Sequence, residues 1–150
     1  MNREKHRTQV IEACIAQEEQ IAAVAKQEMD SAQQQSNDYG ANVDRYDSYR
    51  TKMMRSRDMY ARQYSNAQTG VRYLQDLLKM PPFDTVEHGA CVVTDKQKFF
   101  LSIGAGKFMV GDEVWYALSA QTPIYMALKG CEVGDTIVFN GQKQTVKEVF

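Results

Sequence analysis

The sequence predicts an α+β fold, in which an antiparallel coiled-coil hairpin precedes a small antiparallel β domain with one short helix. Three observations support this prediction. The first 80 residues contain no proline, and their apolar residues recur at helical spacing. All three prolines and most glycines follow, starting at Met80-Pro81-Pro82, where a helix cannot continue. After residue 86 the apolar pattern changes to period two. The predicted domains are therefore residues 1–80 and 83–150.

Two long helices account for the first 80 residues. In each helix the apolar residues fall on one stripe along one face, and in the first helix, between residues 4 and 35, this stripe also contains one acid, Glu18. Neither helix can bury its stripe alone, so we expect the two to pack against each other as a narrow seam. About 35 residues per helix give a length on the order of 50 Å. The stripes consist of Ile11, Cys14, Ile15, Ala22, Ala25, Met29 and Ala32 in the first helix, and of Tyr46, Tyr49, Met53, Tyr60, Tyr64, Ala67, Val71, Leu74 and Leu78 in the second.

The polar stretch SNDYGANVDRYDSYR separates the two helices, and residues 37–47 form the predicted tip. It places Asp38, Asp44 and Asp47 where the chain reverses. Asp and Asn are common in turns and at helix N-caps, which is one interpretation of these acids. The other is that the tip is a functional end of the molecule.

Basic residues follow the tip in the second helix, among them Arg50, Arg55 and Arg57. One interpretation is a solvated face with weak ion pairs. The alternative is that this face lies beside phosphates, for which the arginine fork is well suited.

The second half contains short β-rich segments, EHGACVVT, KFFLSIG, EVWYALS, DTIVF and QTVKEVF. Asn140-Gly141 predicts a two-residue hairpin between the last two. In TPIYMALKG, Thr122 and Pro123 suit a helix start and Gly130 a left-handed stop, which predicts the one short helix. Gly104-Ala105-Gly106-Lys107 is too short for a phosphate-binding loop and is interpreted as a turn. The expected core contains Phe99, Leu101, Ile103, Trp115, Leu118, Ile137 and Phe139.

Composition and residue spacing argue against several classes of function. A net charge of -1 argues against a bulk polyanion binder. We expect no membrane-spanning helix, because no apolar run is long enough, and no signal peptide, because the first twenty residues are too polar. The three cysteines lack metal spacing and are expected to be reduced thiols in a cytoplasmic protein. His6 and His88 are isolated and are predicted to be surface imidazoles. Because no nucleophile and base constellation is visible, we expect no enzymatic activity of its own.

The segment SAQTPIYMALKGCEVGD resembles the signature of bacterial Gre-type transcription elongation factors, in which Ser-Pro-Ile-x-x-Ala-Leu-x-Gly is followed by Val-Gly-Asp. Thr122 stands in the place of the serine, and His88-Gly89-Ala90 before a strand is similar to the start of the same domain. A coiled coil before this domain also agrees with the family architecture. The matching residues are Pro123, Ile124, Ala127, Leu128, Gly130, Val133, Gly134 and Asp135.

This resemblance implies an FKBP-like C-terminal domain that docks on the RNA polymerase core, with Pro123 and Ile124 in the contact. It implies a coiled coil that enters the secondary channel of the polymerase and approaches the 3′ end of the nascent RNA. Asp38 and Asp44 would then assist cleavage of a backtracked transcript, Asp38 as a ligand of a Mg²⁺ shared with the polymerase. The family also implies no cofactor of the protein's own, and we expect a monomer.

The tip departs from the family pattern, which is approximately Gly-Asp-x-x-Glu-Asn-x-Glu-Tyr. Asp38 matches the first acid and Asp44 the third in type, but Ala41 replaces the second. Either Asp44 or Asp47 substitutes for it, or the protein occupies the channel without stimulating cleavage. Two other functions stay open: a coiled-coil module with a partner other than polymerase, in which Glu18 could specify pairing, and a prolyl isomerase, although a fold does not fix a function.

Overall fold

The computed structural model describes residues 2–38 and 47–150, and for Asp38 and Asp47 the description is limited to the helical backbone. Within these ranges, three helices and six strands form an α+β fold, as predicted. Their bounds are α1 (Asn2–Asp38), α2 (Asp47–Leu78), β1 (Cys91–Thr94), β2 (Lys98–Leu101), β3 (Gly106–Val110), β4 (Glu113–Leu118), α3 (Pro123–Leu128), β5 (Thr136–Phe139) and β6 (Gln142–Val149).

The helices α1 and α2 pack against each other in antiparallel orientation. Late residues of α1 meet early residues of α2: Tyr49 donates to the side-chain oxygen of Gln35 at 3.5 Å, and Arg57 donates to that of Gln33 at 2.7 Å. The apolar stripe predicted for α1 is buried except at Met29, which is half-buried. The buried stripe predicted for α1 is therefore confirmed.

One six-stranded sheet has the order β3-β4-β2-β1-β6-β5. Neighbouring strands are antiparallel except β2 and β4, which are parallel. The predicted antiparallel β domain is confirmed for the other pairs of neighbouring strands, and this pair is the exception. β3 was not predicted at all, because Gly104–Lys107 was interpreted as a turn. The strand begins at Gly106 and places Phe108 opposite Trp115, so that a buried aromatic pair fixes its register.

The predicted hairpin and the predicted short helix are both confirmed. Asn140 and Gly141 have φ angles of 52° and 75°, the left-handed values that a two-residue turn between β5 and β6 requires. Pro123 begins α3, and Gly130 has a φ of 87° just after the helix. The left-handed stop expected from the sequence is therefore present.

The two faces of the sheet are both covered, at least in part. On one face, α3 packs with its buried residues onto the sheet and completes the apolar core. The opposite face carries Phe150 and Trp115, whose rings contact His6 on the second turn of α1. Of the predicted core residues, Ile103, Leu118 and Phe139 are only half-buried. The core on the α3 side consists of Val86, Ala90, Val92, Phe99, Leu101, Ile124, Tyr125, Leu128, Ile137, Val146 and Val149.

Contacts divide the chain into two compact units. The sheet unit contains Met1–Gln17 and Arg72–Phe150, and the helical unit contains Glu18–Val71. The first turns of α1 and the last turns of α2 thus belong with the sheet, and the composition change at Met80–Pro82 lies inside the sheet unit. None of the helices in the described ranges combines the length and hydrophobicity that a membrane span requires.

Candidate functional site

The signature segment around α3 has a clear local structure. Gly130 and Gly134 have φ angles of 87° and 98°, which favour glycine at both positions. Directly after Gly134, the carboxylate of Asp135 accepts a hydrogen bond from the backbone N–H of Glu132 at 2.8 Å. The Val-Gly-Asp part of the motif therefore shapes the turn that leads from α3 into β5.

Pro123 and Ile124, the predicted contact residues, lie in different environments. Pro123 is exposed at the first position of α3, whereas Ile124 is only 7% exposed and packs into the apolar core. Thr122 does not cap the helix with its side chain; its hydroxyl donates to the carbonyl of Ser119 at 2.9 Å. Beside Pro123, the apolar side chain of Met126 is 64% exposed. The accessible part of the signature is thus Pro123 with Met126. Ile124 anchors the helix in the apolar core.

The basic residues of α2 also differ from one another. Arg50 and Arg55 are exposed. Arg57 is half-buried, because it donates to Gln33 across the seam and to Asp58 beside it at 2.7 Å. Arg57 therefore holds α1 and α2 together, and it has less freedom than Arg50 or Arg55 to bind a partner.

An open cavity of about 360 Å³ lies on the first turns of α2. It is lined by two hydroxyls and two cations, which share one helical stripe because their spacing is three or four residues. Hydroxyl donors together with ammonium and guanidinium groups suit a phosphate oxygen. The lining residues are Ser48, Thr51, Lys52 and Arg55.

The predicted acidic tip falls outside the described part of the chain. Asp44 and Ala41 belong to the segment that is not described, and the side chain of Asp38 is not described either. Within residues 2–38 and 47–150, no group of three His, Cys, Asp or Glu side chains could hold a metal ion. The roles of Asp38 and Asp44 in metal binding therefore stay predictions.

His6 is packed and bonded, which corrects the prediction of an isolated surface imidazole. Its ring stacks on Phe150 at 4.6 Å between centroids and meets the edge of Trp115, and its Nε2 lies 3.3 Å from the carboxylate of Glu113. Burial alone would raise the pKa of Glu113, but hydrogen bonds from Lys98, Trp115 and His6 outweigh burial and lower it. These contacts attach the start of α1 to β4.

Arg7, which the sequence interpretation overlooked, is the central polar residue where the start of α1 contacts the rest of the sheet unit. It is 3% exposed and donates to the carbonyls of Gly89 at 2.6 Å, Leu77 at 3.1 Å and Phe150 at 3.4 Å. Its guanidinium also lies over the ring of Phe83, 5.1 Å from the centroid. A signal existed, since Arg7 lies four residues before Ile11 on the buried stripe of α1.

His88 is likewise engaged. One ring nitrogen contacts the hydroxyl of Tyr73 on α2, and Nδ1 lies 2.6 Å from the hydroxyl of Tyr125 on α3. Sequence alone could not pair these residues, because they come from three separate segments.

Comparisons with family models, with curated proteins and with solved structures give no match for this chain. The Gre-type resemblance therefore rests on the motif residues, and the function it implies is treated as a proposal.

Proposed function

We propose that this protein binds the RNA polymerase core and inserts its helical hairpin into the secondary channel, where it modulates transcript cleavage in backtracked complexes. The observation that carries the proposal is the combination, in one chain, of two long antiparallel helices and the signature helix α3 beside a sheet. The segment that connects the two helices contains Asp44 and follows Asp38.

The helical unit supports the reach that this function needs. Residues 18–38 of α1 alone extend about 30 Å at the rise of an α-helix. The exposed cations Arg50 and Arg55 follow the tip on α2. Such cations favour proximity to the phosphates of a nascent RNA.

The chemistry would take place in the polymerase. Mg²⁺ takes oxygen ligands and supplies a nucleophile by lowering the pKa of its bound water. Asp38 and Asp44 are the residues of this chain that would add carboxylate oxygens near that site. Ala41 removes a third acid, so occupation of the channel without cleavage is the alternative outcome.

The decisive experiment compares tip variants on stalled, backtracked elongation complexes. We expect the wild-type protein to shorten the transcript and Asp38→Asn to slow this reaction by about 10- to 100-fold, since the variant removes a metal ligand without changing its size. Asp30→Asn is the matched control, because Asp30 is an exposed acid on the same helix. We expect it to retain the wild-type rate.

Polymerase binding without transcript shortening would establish the channel-occupying alternative. Failure of the purified protein to bind polymerase core in a mass-action titration would contradict the proposal. A partner of another kind would then have to explain the helical hairpin.

Docking through α3 has its own test. Met126→Asp places a charge beside Pro123 and is expected to weaken polymerase binding by about tenfold or more. Val138→Asp is the control, because Val138 on β5 is 62% exposed and Met126 is 64% exposed. Equal weakening by the two variants would argue against a specific role for α3.

A further inference from the structure

The His88 bridge, by which we mean Tyr73, His88 and Tyr125, connects two helices of the sheet unit through one imidazole. Tyr73 belongs to α2, His88 to the segment before β1, and Tyr125 to α3. Both ring nitrogens are engaged, one by each phenol hydroxyl. The centroid of the His88 ring lies 5.5 Å from that of Tyr73 and 5.9 Å from that of Tyr125.

The two ends of the bridge differ in solvent access. Tyr125 is 4% exposed and belongs to the apolar core with Ile124 and Leu128. Tyr73 is half-buried and His88 is exposed. Water can therefore reach the imidazole, whereas within residues 2–38 and 47–150 the hydroxyl of Tyr125 has its hydrogen bond to His88.

The number of protons on the imidazole decides whether one of its nitrogens can accept a hydrogen bond from a phenol. A neutral imidazole has one donor and one acceptor, so it can donate to one phenol and accept from the other in either tautomer. An imidazolium has two donors and no acceptor. The imidazolium can still donate to both phenol oxygens, but neither ring nitrogen can accept a proton from a hydroxyl. The loss falls on Tyr125, because its side chain is buried and its O–H had nitrogen as acceptor, whereas Tyr73 is only half-buried and its O–H can turn to water.

The charged groups around the bridge oppose protonation. Burial lowers the pKa of His88, and the ammonium group of Lys129, just after α3, lowers it further. Burial raises the pKa of Tyr73, with a contribution from Tyr125, and burial alone raises that of Tyr125. Both phenols therefore stay protonated at neutral pH. Glu87, the neighbour of His88 in the chain, is an exposed acid that no described contact joins to the bridge.

We propose that the His88 bridge is an acid-sensitive fastener between α2 and α3, closed by the neutral imidazole and opened when the imidazole gains a proton. Opening frees the hydroxyl of Tyr125 and loosens α3, the helix that exposes Pro123 and Met126. The consequence for polymerase binding rests on the proposed function, whereas the fastener itself does not.

The direction of the pH effect follows from the lowered pKa of His88. The unfolded chain binds a proton at about pH 6.5, and the folded chain binds it only at lower pH. The stabilisation is therefore fully present above about pH 6.5 and is lost as the pH falls through the folded pKa.

The test uses the full-length free protein and follows amide hydrogen exchange in α3 together with the His88 side chain by NMR between pH 8 and pH 5. After correction for intrinsic exchange, we expect faster exchange in α3 on the acid side, with the same midpoint as His88. The increase should be about tenfold for each unit by which that midpoint lies below 6.5.

Two variants of the bridge sharpen the test. His88→Gln can donate and accept without titrating, and it should make exchange in α3 independent of pH over this range. Tyr73→Phe removes the bond to α2 and should give fast exchange already at pH 8. His6→Gln is the control, because the other histidine of the chain contacts β4 and not α3; it should keep the wild-type transition.

Two results would overturn the proposal: exchange in α3 that stays constant while His88 titrates, or an acid response that persists in His88→Gln. Polymerase binding at pH 8 and pH 5.5 is measured separately. Absence of binding at both values contradicts the proposed function and leaves the exchange result to decide the bridge.

Discussion

The two compact units bury side chains of different size. The sheet unit buries large side chains, among them Trp115, Phe100 and Leu74, at 0% exposure. The helical unit buries small residues such as Ala25 and Ala67. Because stabilisation grows with the apolar area removed from water, the sheet unit has the larger reserve of stability, and the helical unit depends on pairing along its length.

The two units also differ in the partners of their buried charged residues. Arg7 in the sheet unit donates to three backbone carbonyls. Glu18 in the helical unit is 8% exposed, and burial is the cause that raises its pKa. No ion pair of the described residues includes Glu18. Burial lowers the pKa of Arg7 just as it raises the pKa of Glu18, so burial disfavours the charged form of both. The difference is that the guanidinium of Arg7 has three carbonyl acceptors.

The largest expected effect is on the sheet unit. Phe100→Ala should lower the free energy of unfolding by about 3–5 kcal/mol, through lost burial and the cavity left behind. Trp115, the single tryptophan, reports this unit by fluorescence during urea unfolding. In the helical unit, Ala67→Gly should cost only about 1 kcal/mol, measured by circular dichroism at the helix band. Equal shifts of both signals in both variants would show that the two units unfold together.

Arg7→Met should have the next largest effect, a loss of about 2–3 kcal/mol, because it leaves buried carbonyls without their donor. Arg3→Met is the matched control one turn earlier. Arg3 also donates to backbone carbonyls, those of Phe83 and Val149, and it pairs with Asp84 at 3.0 Å, but its side chain is half exposed. Water can replace it at these acceptors, so its loss should cost less than about 1 kcal/mol. Urea unfolding of both variants measures the difference. A loss as small for Arg7→Met as for Arg3→Met would mean that water replaces the guanidinium at the carbonyls.

The smallest effect should have the opposite sign. Glu18→Gln removes a charge that burial disfavours and should stabilise the protein by about 1 kcal/mol at pH 7. Because the folded pKa of Glu18 is raised, the wild-type protein gains stability as the pH falls through that pKa. The advantage of the variant should therefore disappear below about pH 4.3, where the carboxyl is protonated in both states.

Thermal unfolding at pH 7, 5.5 and 4 measures this prediction. Glu19→Gln is the control, since the neighbouring Glu19 is exposed. A stabilisation by Glu18→Gln that does not change with pH would show that ionisation of Glu18 is not the cause.

Much of the fold follows from local sequence patterns. The stripe from Ile11 to Ala32 predicts a buried helix face, Asn140-Gly141 a tight hairpin, and Pro123 with Gly130 the ends of α3. Each of these depends on residues close together in the chain, through helical periodicity, left-handed turn geometry or the fixed φ of proline. The motif around α3 could likewise be interpreted from sequence, because its glycines define the turn into β5.

Tertiary structure alone decided the rest. β3 was hidden because its register depends on Trp115 in a later strand, and the parallel pairing of β2 with β4 joins strands that are not consecutive. Arg7 acquires its carbonyl partners only where α1, α2 and the sheet meet, and His88 acquires two phenols from two helices. The sequence by itself determined the two long helices, α3, the last hairpin and the buried face of α1, since those depend on neighbouring residues. Which polar groups satisfy one another was decided by packing, because such partners lie far apart in the chain.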